Sequence, residues 1–355
     1  MGLRLDWRAM RLMVLVIGLW LLALTLASAD PTDPEDAPAI QAAPSTDGPP
    51  SFFRGIFNHL ETEFILAAGF RSDSLDWSIA GNNTNVLSEL DWSDVDSYQL
   101  SLSNRSRYKR HIYLRGHLNY AWIENGRVRD SDYGLNDRMG EYSRSVSDTN
   151  GDELWDVNVG GGYAFYFQED RLMVAPVVGF SYSKQNFRIT NGTQVISADN
   201  PNSENLADNP PSVGPLSDRL NSTYFARWMG PWIGCDLRYR PRKWPFNGLP
   251  GELGLAMELH WADYYGEGNW NLRGDLQHPK SFEHETTGYG LRLAGDAAVP
   301  LSDRWALTVM AEYQTWTSDA GTDRIFSVDQ GVFTTRFNEV NWDTVSVMLG
   351  ALCRF

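Results

Sequence analysis

Cysteine is nearly absent. Cys235 and Cys353 are the two in 355 residues, too few for a disulfide scaffold, and they fall on segments placed well apart, so both are expected as free thiols. Basic residues are scarce too: 30 Lys and Arg stand against 45 Asp and Glu. A net charge of -15 excludes the basic face that nucleic-acid binders present. Beyond Leu26 no apolar run approaches the roughly 20 residues of a membrane-crossing helix, and mean hydropathy is -0.38. Aromatics, by contrast, are abundant, with 14 Trp, 15 Tyr and 16 Phe. A chain polar on average yet rich in rings fits strands that hide their apolar residues by alternation across a membrane. A secreted β-sandwich is the competing class.

The chain opens with Arg4, Arg8 and Arg11, the apolar run Leu12–Leu26 and the small residues Ala27-Ser28-Ala29. That order reads as a cleaved export signal over 1–29. Residues 30–50 hold six prolines among acidic and small residues, a composition that forms a linker rather than a core. Residues 51–355 are then the folded domain.

Within it, Ile112, Leu114, Gly116, Leu118, Tyr120 and Trp122 alternate with Arg115, His117 and Asn119, a period-two strand long enough to cross a bilayer at about 9–11 residues. Similar segments are expected at 61–72, 95–104, 111–125, 153–166, 171–186, 223–239, 253–265, 286–299, 304–317 and 342–355. Short connections alternate with long polar ones. The expectation is an all-β fold, a transmembrane antiparallel up-and-down β-barrel of about ten strands with both termini periplasmic, located in the outer membrane. The basic cluster Arg105, Arg107, Lys109 and Arg110 would then face the periplasm. The last strand puts Val345, Val347, Leu349, Ala351, Cys353 and Phe355 on one face, resembling the terminal strand that the barrel-assembly machinery of Gram-negative bacteria recognises.

The opposite faces collect Asn158, Asp236, Arg238, Glu258, His260, Arg292, Asp296, Glu312 and Gln314, which predicts a lumen filled by ion pairs; about ten strands leave little bore in any case. Two carboxylates, Asp130 and Asp132, share one side of the chain at the rim. Such a pair can share a proton or act as a general base, and it reads equally as a solvated acidic loop. Asp148-Thr149-Asn150-Gly151-Asp152 starts like an EF-hand loop. Glu153 and Val159, however, stand where Gly and a bidentate Glu are needed, so it reads as a turn, and neither a metal nor a cofactor is expected.

Leu87-Ser-Glu-Leu-Asp-Trp92, followed by two strands and Gly126-Arg-Val-Arg-Asp130-Ser-Asp132-Tyr133, resembles the omptins, ten-stranded outer-membrane endopeptidases. Trp261 and Tyr289–Leu293 extend the likeness over most of the barrel. The resemblance implies that Asp130 and Asp132 form one half of a water-activating site for cleavage beside basic residues, the other half being an Asp-x-His couple on the facing wall. In that register stand Gly268 and Trp270, neither of which takes a proton. His278 and His284, with Asp263 and Glu267 on the same hairpin, are the candidate substitutes, the two histidines being expected in the loop or at the rim.

Three functions follow. One is a non-proteolytic surface barrel whose long acidic loops bind a ligand, lipopolysaccharide or another surface; the second is an endopeptidase using Asp130 and Asp132; the third is a narrow channel, which the charged lumen disfavours. The expected partners are outer-membrane lipid, lipopolysaccharide and, through Phe355, the assembly machinery, with the chain a monomer.

Overall fold

The computed structural model describes residues 59–81, 84–201, 209–241 and 251–355. The export signal and the proline-rich segment lie outside them. Every regular element among the described residues is a strand: β1 (Leu60–Ala80), β2 (Asn85–Tyr108), β3 (Ile112–Tyr133), β4 (Glu141–Thr149), β5 (Glu153–Tyr163), β6 (Phe165–Phe167), β7 (Leu172–Ser197), β8 (Gly214–Pro215), β9 (Ser222–Tyr239), β10 (Glu252–Asn269), β11 (Phe282–Pro300), β12 (Trp305–Ser318), β13 (Gly321–Ser327) and β14 (Gly331–Arg354). Neighbours pair antiparallel in chain order, and β14 returns to β1 in register from Glu63↔Arg354 to Ala80↔Arg336. Closure leaves the barrel no open sheet edge, as a lipid environment requires.

Fourteen strands stand where the sequence predicts about ten. Interruption accounts for the extra ones: β4 and β5 follow one another between β3 and β7, broken at Gly151, whose φ is 71. In the same way β12 and β13 succeed one another between β11 and β14, while β6 and β8 are short additions on β7. The strands also overrun their expected bounds. The connection between β1 and β2 shrinks to Gly81–Thr84 and that between β13 and β14 to Val328–Gln330, so long and short loops do not strictly alternate.

The reason is visible on β1. Through Asp76 its even-numbered residues face outward, apolar at Leu66, Ala68 and Phe70 but polar at Ser72, Ser74 and Asp76. Inward positions change the opposite way, from Arg71 and Asp73 to Leu75, Trp77 and Ile79. Read as sequence, that phase change looks like the end of a strand. In the structure hydrogen bonding continues through it, because only the medium outside the wall has changed from lipid to water.

The lipid-facing band is explicit in the exposed residues Leu253, Leu255, Met257, Leu259 and Trp261 of β10 and Val345, Val347 and Leu349 of β14. Aromatic rows bound it: Tyr163, Phe165, Phe167 and Phe355 at the end holding Leu60 and Phe355, and Phe70, Tyr98, Trp261 and Tyr289 toward the other end, the mouth. At the terminal end Phe355 and Thr62 exchange backbone hydrogen bonds of 2.9 and 3.2 Å, and the Phe355 ring meets Phe64 edge-on at 5.9 Å. Cys353 is covered and Cys235 partly covered; both are free.

Inside, the expected charged lumen is present. Glu258 is its hub, bonded by Arg115 at 2.8 Å, Arg292 at 2.5 Å, Asn158 at 2.6 Å and His260 at 3.0 Å. Arg71 joins Asp73 at 2.8 Å and also Asp156, and Arg238 joins Glu252 and Asp296, both at 2.6 Å. Trp232 lies across Gly160 and Gly179, where an added Cβ would come within 2.5 and 2.3 Å of its ring; these two wall positions must be glycine for the indole to fit. Toward the mouth the filling turns aromatic, with Trp77, Trp92, Phe187, Tyr224, Trp228, Tyr264, Phe282, Trp316, Phe337 and Trp342 in one buried cluster.

Candidate functional site at the barrel mouth

β3 carries Asp130 and Asp132 above the apolar band, eight and ten residues past Trp122. They therefore sit on a continuous strand, half-buried and facing inward, rather than in a solvated loop. In register, Asp130 lies opposite Leu90 and Ser145, and Asp132 opposite Ser88 and Ser143. The Ser88 and Ser143 side chains hydrogen-bond Asp132. The side chain of Trp270 hydrogen-bonds Asp130, with the indole N–H necessarily the donor. Arg273 faces both carboxylates, but is itself held by Asp275 in a two-pronged pair of 2.8 and 2.7 Å.

Burial pushes the Asp130 carboxyl up to about 8, and the neighbouring Asp132 charge adds to the shift against the partial relief from Arg273 and Trp270. Burial also raises Asp132, against its serine donors and Arg273. A close carboxylate pair with one shared cation cannot hold two charges cheaply, so at neutral pH Asp130 keeps its proton.

The facing wall is built from the end of β10 and the turn after it. Gly268 is covered by Phe282, since an added Cβ would stand 2.1 Å from that ring, and no acidic side chain fits there without moving it. Trp270 is anchored by its backbone N–H to Ser281 Oγ at 3.0 Å and packs edge-on against Phe282 at 4.7 Å. His278 is exposed, its Nδ1 2.7 Å from Asn269 Oδ1. Asp263 points outward, and Glu267 pairs with Lys280 at 3.1 Å.

His284 departs from its expected place at the rim: it is fully buried one aromatic layer lower, stacked on Phe337 at 4.2 Å. Its position on β11 opposite Asp323 of β13 turns it into the lumen. Nδ1 lies 3.0 Å from the Tyr224 hydroxyl, which is 2.6 Å from that of Tyr264, and Nε2 lies 3.3 Å from Asp323. Burial lowers the histidine's pKa despite Asp323. The Trp270 and Phe282 rings lie between it and the carboxylate pair.

The sequence reading missed Ser88, Ser143 and Arg273 as members of the site. Arg273 sits two residues before Asp275 in a turn closed by Arg273 N–H to Trp270 O at 3.0 Å, and the Gly274-Asp275 pair was the signal for that turn. In the other expected loop, Asp148 accepts from Asn191 at 3.2 Å, while the Thr149 side chain is buried and donates to Arg188 O at 2.7 Å.

The sequence profile of the Protochlamydia outer membrane protein family matches residues 65–355. No curated protein matches the chain. Among solved structures, the outer membrane protease OmpT from Escherichia coli superposes with a TM-score of 0.66 at 13% identity, over 83% of this chain and 97% of that one. The translocator domain of the autotransporter NalP from Neisseria meningitidis matches at a TM-score of 0.32 and 11% identity, over 86% and 94% of the two chains. With OmpT the likeness is one of fold.

Proposed function

As the chain belongs to the Protochlamydia outer membrane protein family and has an omptin-like barrel fold, we propose that it is a non-proteolytic outer-membrane protein whose mouth binds a ligand through the Asp130–Asp132 pair. The observation that carries this reading is the position of Trp270 beside Asp130, on a facing wall whose Gly268 is covered by Phe282. The indole fills the place of the facing base with a group that donates a hydrogen bond and accepts no proton. A nucleophilic water needs a base within about 2.6–3.2 Å, and loss of such acid–base help removes about 10²–10⁴ in rate. The raised Asp130 pKa is the one feature that favours the alternative, an endopeptidase with a proton-sharing acid pair.

Cleavage of dibasic peptides by the protein in lipopolysaccharide micelles distinguishes them. The rate should be no greater than that of an Asp130→Ala, Asp132→Ala variant. Robust cleavage abolished in the variant would establish the endopeptidase.

In this reading the acidic mouth faces outward and the end that holds Leu60 and Phe355 faces the periplasm, reached after removal of residues 1–29. Outer-membrane lipid and lipopolysaccharide surround the band, and Phe355 is read by the assembly machinery. The edge-on contact of Phe355 with Phe64 supports a role in closing the β1–β14 seam. Deleting Phe355 should leave export intact while reducing the heat-modifiable, folded fraction recovered in the outer membrane. An unchanged fraction would remove that role from the terminal ring.

A further inference from the structure

A second concavity lies outside the barrel at the mouth-side edge of the apolar band. This groove of about 440 Å³ runs across β14, β1, β2 and β3. Its lower part is apolar: Phe70 is 68% exposed, Val345 52% and Val347 53%, and Tyr98 meets Phe70 at a ring separation of 5.3 Å. Its upper part carries Asp96 and Glu124.

Those two side chains are brought there by irregularities in the sheet. Asp96 pairs with Asn125 but Ser97 with Ile123, so Glu124 is an extra residue on β3; on β2 the pairing jumps from Ser93 to Asp96, with Asp94 at a φ of 51. As a result Glu124 and Asn125, though consecutive, are both exposed on the outer face. Bulges re-aim side chains in this way, and they tend to persist where a site needs them.

The exposed charges at the groove's edge are acidic, and Arg71, which also lines it, is paired with Asp73 and Asp156. Asp96 accepts from Ser72 at 2.9 Å, and among the described residues neither it nor Glu124 forms an ion pair. Above them the outer faces of β14, β1 and β2 continue the same sign, with Asp343 opposite Ser74 and Asp76 directly opposite Asp91. Arg129 offsets Asp91 at 2.9 Å, and Arg127, lower on β3 and nearer the groove, stands opposite Ser93 and Asp148.

A groove apolar on its membrane side and acidic on its water side complements an amphiphile with a cationic head. We propose that it binds a bilayer lipid with an amine-bearing headgroup, the acyl chains lying on Phe70, Tyr98, Val345 and Val347 and the ammonium meeting Asp96 and Glu124. Lipid is the occupant the position favours, because the apolar floor is continuous with the band that already faces the hydrocarbon. A second copy of the chain would bring the same acidic face against this one, and like charges across an interface oppose docking.

The test is native mass spectrometry of the refolded full chain, released from micelles doped with either phosphatidylethanolamine or phosphatidylglycerol of identical acyl chains. Retained phosphatidylethanolamine should exceed phosphatidylglycerol about fivefold, the scale of two partly exposed charge contacts. Asp96→Asn with Glu124→Gln should abolish the preference, and Phe70→Ala should reduce retention of both lipids. Heat-modifiable migration reports whether each variant is folded; should one not refold, the comparison of lipids on the unaltered chain decides alone. Equal retention, or a preference that survives the double variant, overturns the proposal. Retention of phosphatidylglycerol or lipopolysaccharide only with added Mg²⁺ would assign the carboxylates to cation-bridged phosphate and overturn it as well. A dimer peak lost on Phe70→Ala would assign the groove to a second copy.

Discussion

Replacing Arg292 with methionine should destabilise the barrel by about 3–5 kcal/mol, the cost of leaving a buried charge without its partner. Arg292 is 6% exposed and bridges two carboxylates, Glu258 and Glu312, at 2.5 Å each. After its removal Glu258 keeps Arg115, Asn158 and His260. Glu312 keeps Gln314, at 2.7 Å, a neutral donor that cannot replace a guanidinium in a desolvated lumen. The appropriate comparison is Arg129→Met toward the mouth, where the pair with Asp91 is exposed on both sides and should be worth no more than about 1 kcal/mol. Guanidinium unfolding of both variants in micelles measures the difference. Equal losses would show that water screens the interior pairs, and with that the argument against a conducting channel would fall.

The band and the lumen charges were legible because both follow the simplest periodicity a chain can carry. Ile112 to Trp122 and Val345 to Phe355 announce lipid-facing strands, and Glu258, Arg292 and Glu312 fall on the opposite face where the structure places them. Less legible was the part of the barrel beyond the membrane. There the outer face turns polar and the inner face apolar, so Leu75, Trp77 and Ile79 are in phase with Arg71 and Asp73 rather than with Phe70. A reader of hydrophobicity sees a break, where the hydrogen-bond ladder sees none.

The same inversion hid the aromatic floor under the mouth and with it the burial of His284, since an inward histidine on β11 looks like a rim histidine until the rings over it are known. For the carboxylate pair, the family resemblance located Asp130 and Asp132. What it could not supply was the fold of the turn from Asn269 to Ser281, which aims Trp270 and Arg273 back at them.

Replacing Asp130 with asparagine should make the protein more stable, by an amount that grows with pH. The folded carboxyl holds its proton to about 8, whereas in the unfolded chain it ionises near its ordinary value of about 3.9. Between those values the folded state binds a proton that the unfolded state does not, so stability falls as pH rises through the window and levels off above about 8. Asparagine does not titrate and keeps an oxygen to accept from Trp270, so the variant lacks this slope. Full linkage over four pH units would amount to about 5 kcal/mol. The site is half-buried and open to solvent at the mouth, which reduces the expected growth in the variant's advantage between pH 5 and pH 8.5 to about 2 kcal/mol. Thermal unfolding at the two pH values reads it directly, and an advantage equal at both would show that Asp130 is ionised throughout. A gain that grows with pH would mean that the native protein carries a destabilising acid at its mouth. Removing that acid improves the fold and takes away half of the pair on which ligand binding is proposed to depend, the trade expected where a group is kept for function rather than for stability.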